Sequence, residues 1–213
     1  GFIKNYPDRV IFDEVQFVPK LFHYIKIAID QDRQNYGKFV LTGSSQFTLM
    51  QNISESLAGR IGLLSLLPLQ YLETPPLLHA ESVFKGGYPE LINRNYEQND
   101  LWYSSYIETY LAKDVRSLSQ VGNLREFRQF IRLLAANIGH TLDLSSYSKN
   151  IGVSVPTIKR WTSILEASYI IFLLPAFYNN FGKRITKSPK IYFYDTGLVS
   201  YLTGVKTAKL YNH

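Results

Sequence analysis

The sequence has no cysteine, one methionine and two tryptophans among its 213 residues. Without cysteine there is no disulfide framework and no thiolate metal site, and a reducing compartment is permitted. Long hydrophobic runs are missing too. The longest, "YIIFLLPAF" and "IGLLSLLPL", fall well short of the ~18 residues of a membrane span. No signal peptide opens the sequence. These absences lead us to expect a cytoplasmic protein without a membrane partner. His23, His79, His140 and His213 show no ligand spacing, which argues against zinc. A phosphate-binding loop of the form G-x-x-x-x-G-K-S/T is also absent. "YGKF" lacks the following Ser or Thr, and "FGKR" lacks the upstream glycine. The first residue is not Met and the only Met is Met50, as expected of a piece of a longer protein.

What is present is an apolar, aromatic and unevenly charged chain. Hydrophobic residues make up 46% and charged residues 19%, a globular composition. Residues 1–106 carry 9 Lys/Arg and 11 Asp/Glu, a balance of −2. Residues 107–213 carry 14 Lys/Arg and 6 Asp/Glu, a balance of +8. The second half is therefore a candidate polyanion-binding half, with a merely solvated basic face as the plainer alternative.

Residues 9–12 read as a strand, "PKLFHYIKIAIDQ" as a helix led by Pro19, and "KFVLTGSS" as a second strand. A strand, a helix and a strand in about 30 residues make one βαβ unit, with its strands parallel. A helix over 47–58 and a third strand in "RIGLLSLLPL" are expected next, then a short helix beginning in "LQYLE". "TPPLLH" breaks the pattern. "KGGYPE" reads as a glycine turn and "LWYSSYIETYLAKDVRSL" as a long helix. In "LREFRQFIRLLAANIG", Phe127, Ile131, Leu134 and Ile138 are expected inward, with Arg125, Arg128 and Arg132 on the outer edge.

The chemistry concentrates where "VIFDEVQ" ends. Ligands of open parallel sheets bind beyond the carboxyl ends of the strands. Asp13 and Glu14 end the first strand, and Thr42, Ser44 and Ser45 end its neighbour. In a nucleoside triphosphatase the Asp holds Mg²⁺ and the Glu orients and deprotonates the attacking water. A polar group on the next strand senses the γ-phosphate. Arg60, in "SLAGRIG", is placed to stabilise transition-state charge from its own or a neighbouring subunit, which makes a homo-oligomer a candidate partner. Each piece alone has an ordinary structural explanation, but the ordered set is far less common by chance. Only nine residues precede Val10, too few to hold a phosphate cradle.

"VIFDEVQFVPKL", "KFVLTGSSQF", "ESLAGRIGLLSLLPLQYLE", "GGYPE" and "PKIYFYDTGL" follow one another in that order. Together they resemble the bacterial and archaeal AAA+-type P-loop ATPases that carry a C-terminal domain of unknown function. The resemblance covers nearly the whole chain. It implies ATP and Mg²⁺ as cofactors of the full-length protein, then a helical region, a winged helix and a nuclease-like tail. By this resemblance Asp13 and Glu14 match the Walker B acids, Ser44 or Ser45 falls near the sensor position, and Arg60 matches the "GR" arginine. The Walker A loop and the distal tail of the family have no counterpart here.

"LDLSSYSKNIGVSVPTIKRWTSILEASYII" is spaced as a helix-turn-helix. Gly152 suits the turn, Ser154 the cap and Pro156 the first turn of the second helix. Ile158, Trp161 and Leu165 are expected inward, and Thr157, Lys159, Arg160 and Ser163 outward. "IIFLLPAF" and "KIYFYD" are candidate wing strands, and the segment between them carries Lys183, Arg184 and Lys187. The basic helix and wing are candidates for DNA phosphate contact. Asp195 reads as a turn or helix cap rather than a nuclease acid.

The expected fold class is α/β plus mainly α. Residues 1–75 would form the C-terminal half of a P-loop ATPase parallel sheet and residues 76–122 a helical connection. Residues 123–194 would form a winged helix, and residues 195–213 the start of a further domain. Two functional expectations stand. One is part of an ATP-hydrolysing switch. The other is a DNA-binding winged-helix regulatory module whose α/β part is structural.

Overall fold

The computed structural model describes residues 2–6, 9–43, 46–111, 124–177, 179 and 187–205. The chain divides into two compact units, residues 1–65 and 66–213.

In the first unit, strand β1 (Val10–Phe12) pairs in parallel with strand β2 (Phe39–Leu41). Helix α1 (Pro19–Gln31) makes the crossover, with Pro19 at its first turn, where the missing N–H costs nothing. It buries Phe22 and Ile25, one helical turn apart, as a 3.6-residue period requires. Helix α2 (Gln46–Ser56) follows β2. Val15, Phe22, Ile25, Ile53 and Leu57 form the core of this unit, and Phe12, Phe39 and Leu41 pack on it. The expected βαβ unit is therefore present, in the register Val10↔Phe39, Ile11↔Val40 and Phe12↔Leu41.

The third strand expected in "RIGLLSLLPL" does not form. Residues 61–67 have no regular structure, and Leu64 and Leu66 are 98% and 99% exposed. An apolar run becomes a strand only when an adjacent backbone supplies hydrogen bonds. Gly62 weakens pairing at one end of the run, and Pro68, which has no N–H, ends it at the other.

The second unit is mainly helical. Helix α3 (His79–Lys85), helix α4 (Pro89–Asn93) and helix α5 (Asn99–Tyr106) follow short 3₁₀ turns at Tyr71–Glu73 and Pro76–Leu78. α5 runs into a π-helical turn, Ile107–Leu111. The rest of the long helix expected over 101–118 lies outside the described residues. Helix α6 (Leu124–Ala136) buries Phe127, Phe130, Ile131, Leu134 and Ala135 and exposes Arg125, Arg128 and Arg132. Ile138 departs from the expected inward set. It sits in the turn past the helix end, 37% exposed, because the helical period stops before reaching it.

Helix α7 (Leu144–Ile151) ends at Gly152, whose φ of 82° is left-handed and suits a residue without Cβ. Ser154 then caps helix α8 (Val155–Ala167), its side chain accepting from the Thr157 N–H at 3.3 Å. Antiparallel strands β3 (Ile171–Leu174) and β4 (Lys190–Phe193) come next, then helix α9 (Thr196–Thr203). Trp161 of α8 is buried between Phe127 and Phe130, with ring centroids 5.5 and 5.7 Å apart. That aromatic contact anchors α8 to α6 and turns its Lys159 and Arg160 to solvent.

Candidate functional site

The parallel register decides what meets at the strand ends. Because Phe12 stands opposite Leu41, the residues just beyond them, Asp13 and Thr42, become neighbours. The Thr42 N–H donates to the Phe12 carbonyl at 2.9 Å, and the Val15 N–H donates to the Thr42 carbonyl at 3.1 Å. This backbone bracket fixes Thr42 beside both acids. The Thr42 hydroxyl donates to the Asp13 carboxylate. The Glu14 N–H lies 3.4 Å from the same hydroxyl oxygen. Asp13 is exposed and Glu14 half-buried, so both face accessible space.

Glu14 takes φ 53° and ψ 42°, the left-handed region. For a residue with a Cβ that conformation costs about 1–2 kcal/mol. The kink turns the chain off the strand into a 3₁₀ turn, Val15–Phe17, whose Val15 and Gln16 are buried. Gln16 donates from Nε2 to Glu14 Oε2 at 2.5 Å. A Cβ placed on Gly43 would lie 2.4 Å from Gln16 Oε1, so a side chain at Gly43 would require the Gln16 amide to move.

Asp13, Glu14 and Thr42 offer only hard oxygen donors. Mg²⁺ typically takes one or two carboxylates and completes its shell with water and phosphate oxygens, a demand this set can meet. No cluster of three or more His, Cys, Asp or Glu suited to a metal occurs among the described residues.

Arg60 is engaged elsewhere. Its Nε and Nη2 donate to the two carboxylate oxygens of Asp30, at 2.8 and 3.1 Å, and its Nη1 donates to the Ala58 carbonyl at 3.2 Å. The Arg60 hydrogen bond holds the Asp30 carboxyl below its ordinary pKa, and Asp30 raises that of Arg60. The structure thus brings Asp13, Glu14 and Thr42 together and ties Arg60 to α1. Ser44 and Ser45 lie outside the described residues.

In the second unit Lys159, Arg160 and Lys187 are exposed. Thr157 is only half outward, since its hydroxyl shares a 2.8 Å hydrogen bond with that of Ser154 and belongs to the cap. Lys183 and Arg184 lie outside the described residues. Asp195 is 3% exposed and caps α9 as expected. Its carboxylate also accepts from Tyr103, Gly87 and Leu198 at 2.7 Å each. Those bonds occupy it structurally.

Sequence reasoning missed Gln16, Asp30 and Tyr103. The first had a faint signal: an amide two residues past a paired acid, within reach of it on a tight turn. The other two are contacts across the fold, and no local pattern announces them.

Comparison with known proteins matches residues 2–74 to an AAA domain and residues 78–209 to a domain of unknown function (DUF8612). An uncharacterized protein of Mycobacterium tuberculosis is 29% identical over 197 residues, covering 92% of this chain and 44% of the relative. One from Mycobacterium bovis matches equally. An uncharacterized protein of Haemophilus influenzae is 24% identical over 226 aligned positions, covering 95% of this chain and 54% of the relative. The chain thus spans about half the length of the curated relatives it matches.

Proposed function

Because this chain belongs to the family of the domain of unknown function (DUF8612), with an AAA domain match ahead of it, we propose that it is part of an ATP-binding AAA+-type ATPase. The observation that carries this reading is the meeting of Asp13, Glu14 and Thr42 beyond two parallel strands. That crevice is where open α/β sheets bind ligands. Asp13 would hold Mg²⁺, directly or through water, and Thr42 would contact the bound nucleotide beside it. Mg²⁺ bound there would neutralise phosphate charge. Glu14 orients the attacking water and accepts its proton. Ser44 and Ser45 are the candidates for sensing the γ-phosphate, and Arg60 for stabilising transition-state charge. The cradle for the phosphates belongs to sequence other than these residues. We place the ATPase part at residues 1–75 and the helical connection at 76–122. Hydrolysis would serve as a switch in the whole protein.

The test is nucleotide binding by the full-length protein, with and without Mg²⁺, for wild type and Asp13→Asn. The expected result is Mg²⁺-dependent ATP binding that Asp13→Asn weakens at least tenfold. Equal binding by both proteins would overturn the reading.

A second reading is favoured by a separate observation. α7, the Gly152 turn, α8 and the antiparallel strands β3 and β4 follow one another in this order, which supports reading residues 123–194 as a winged helix. Exposed Lys159 and Arg160 lie on its second helix, and Lys187 just ahead of the second hairpin strand. This surface suits DNA phosphates, with Lys183 and Arg184 as further candidates. Alone, it would make the chain a DNA-binding regulatory module with a structural α/β part.

A further inference from the structure

Gln16 is polar, 94% withdrawn from solvent and only half satisfied. Its relative exposure is 6%. Its amide nitrogen donates to Glu14 Oε2 at 2.5 Å, while its Oε1 is buried without a hydrogen-bond partner. A carboxylate only accepts, so the NH₂ must face Glu14 and the carbonyl must face Gly43. An orphaned buried acceptor costs about 1–3 kcal/mol, whereas an apolar group of the same shape would cost nothing of that kind. On stability alone, Gln16 is the wrong residue for this position.

We infer that Gln16 is a positioning residue that fixes the carboxylate of Glu14 for its work as general base. The inference rests on the ATPase reading above. Glu14 stands on a left-handed kink just past the strand. A general base must hold its oxygen within hydrogen-bond reach of the proton it takes. The Gln16 N–H pins one carboxylate oxygen and thereby sets the plane of the other. The Gln16 carbonyl lies against the neighbouring strand end, its Oε1 2.4 Å from where a Cβ on Gly43 would stand. The arrangement couples the two strand ends: the residue beside Thr42 shapes the pocket of the amide that orients Glu14.

The variant to make is Gln16→Met, which keeps length and volume and removes both polar atoms. Two measurements are paired. In this 213-residue chain, the thermal midpoint of Gln16→Met is expected to equal or exceed that of wild type. In the full-length protein, kcat for ATP is expected to fall on the order of 10-fold to 100-fold, with KM within about threefold, because general-base catalysis contributes roughly 10²–10⁴. A lower midpoint with unchanged kcat would make Gln16 structural and overturn the inference. So would wild-type kcat at any midpoint. Glu14→Gln, measured alongside, separates the two levels. If it keeps turnover, the base assignment fails and this inference fails with it. If it abolishes turnover while Gln16→Met does not, only the positioning role fails.

Discussion

Asp195 and Gly87 are 108 residues apart in sequence and joined by a 2.7 Å hydrogen bond, the Gly87 N–H donating to the Asp195 carboxylate. Tyr103 donates to the same carboxylate, and its hydroxyl oxygen would stand 2.2 Å from a Cβ on Gly197 and 2.3 Å from one on Gly86. Three separate segments, "KGGYPE", "LWYSSY" and "YFYDTGL", therefore meet at one buried acid. The knot holds α9 against α3 and α5.

Replacing either end should be severe. A Cβ on Gly87 would meet the Leu69 carbonyl oxygen at 2.1 Å, a backbone atom that cannot swing aside. It would also part the Leu69 N–H from the Gly87 carbonyl, now 2.7 Å apart. Asp195→Ala strands several buried donors at about 1–3 kcal/mol each. Both variants are expected to lower the unfolding midpoint by about 10 °C or more, on the scale of about 2–4 °C per kcal/mol for a unit of this size. Calorimetry of the chain checks this.

The same knot sets an alkaline limit. Burial first, and then the Asp195 charge, raises the pKa of Tyr103 far above that of an exposed tyrosine. Burial and the charges of Asp195 and Glu81 push Tyr96 up to about 12. Both groups stay protonated in the folded state while the unfolded chain loses its protons from its ordinary value of 10.0. Stability from these groups is thus full below pH 10 and lost as pH rises toward 12. Each should steepen the decline by up to about 1.4 kcal/mol per pH unit. Denaturant unfolding between pH 9 and 11.5 is expected to show this slope, and Tyr96→Phe to flatten it.

Arg60 is expected to matter for turnover rather than for folding. Its pair with Asp30 is partly exposed, and such pairs add little stability. Arg60→Ala should leave the unfolding midpoint nearly unchanged. In the full-length protein it should lower ATP turnover by roughly 10²-fold or more, the usual effect of removing one transition-state donor. Asp30→Ala frees the arginine without deleting it and should retain most activity. Equal losses in both variants would mean that the pair itself, not the guanidinium, is what counts.

For the basic helix, Lys159→Ala with Arg160→Ala is expected to weaken duplex DNA binding and to reduce the salt slope by about 0.9 per lost phosphate contact. A fluorescence titration at several salt concentrations reads both. An unchanged slope would mean that this surface makes no DNA phosphate contact.

The parts of the fold legible from sequence were those with a local cause. Pro19, Gly152, Ser154 and Asp195 mark turns and caps by their own backbone chemistry, and the structure puts each at such a position. The alternation of core and surface on α6 and α8 followed from helical period. "RIGLLSLLPL" misled because its leucines resemble a buried strand, although strand formation depends on a partner that hydropathy does not reveal. The strand-end meeting of Asp13 with Thr42 was legible because a βαβ connection fixes parallel order. The grip of Gln16 on Glu14 was not, since it depends on a left-handed kink at a residue that rarely adopts one.

In the proposed ATP site, Glu14 activates the attacking water. The most direct measurement is ATP turnover and ATP retention by full-length wild type and Glu14→Gln, side by side with Mg²⁺ present. Glu14→Gln is expected to bind ATP at least as tightly as wild type and to retain it unhydrolysed, with turnover reduced about 10²-fold or more, the scale of a lost general base. Wild-type turnover by Glu14→Gln would contradict it.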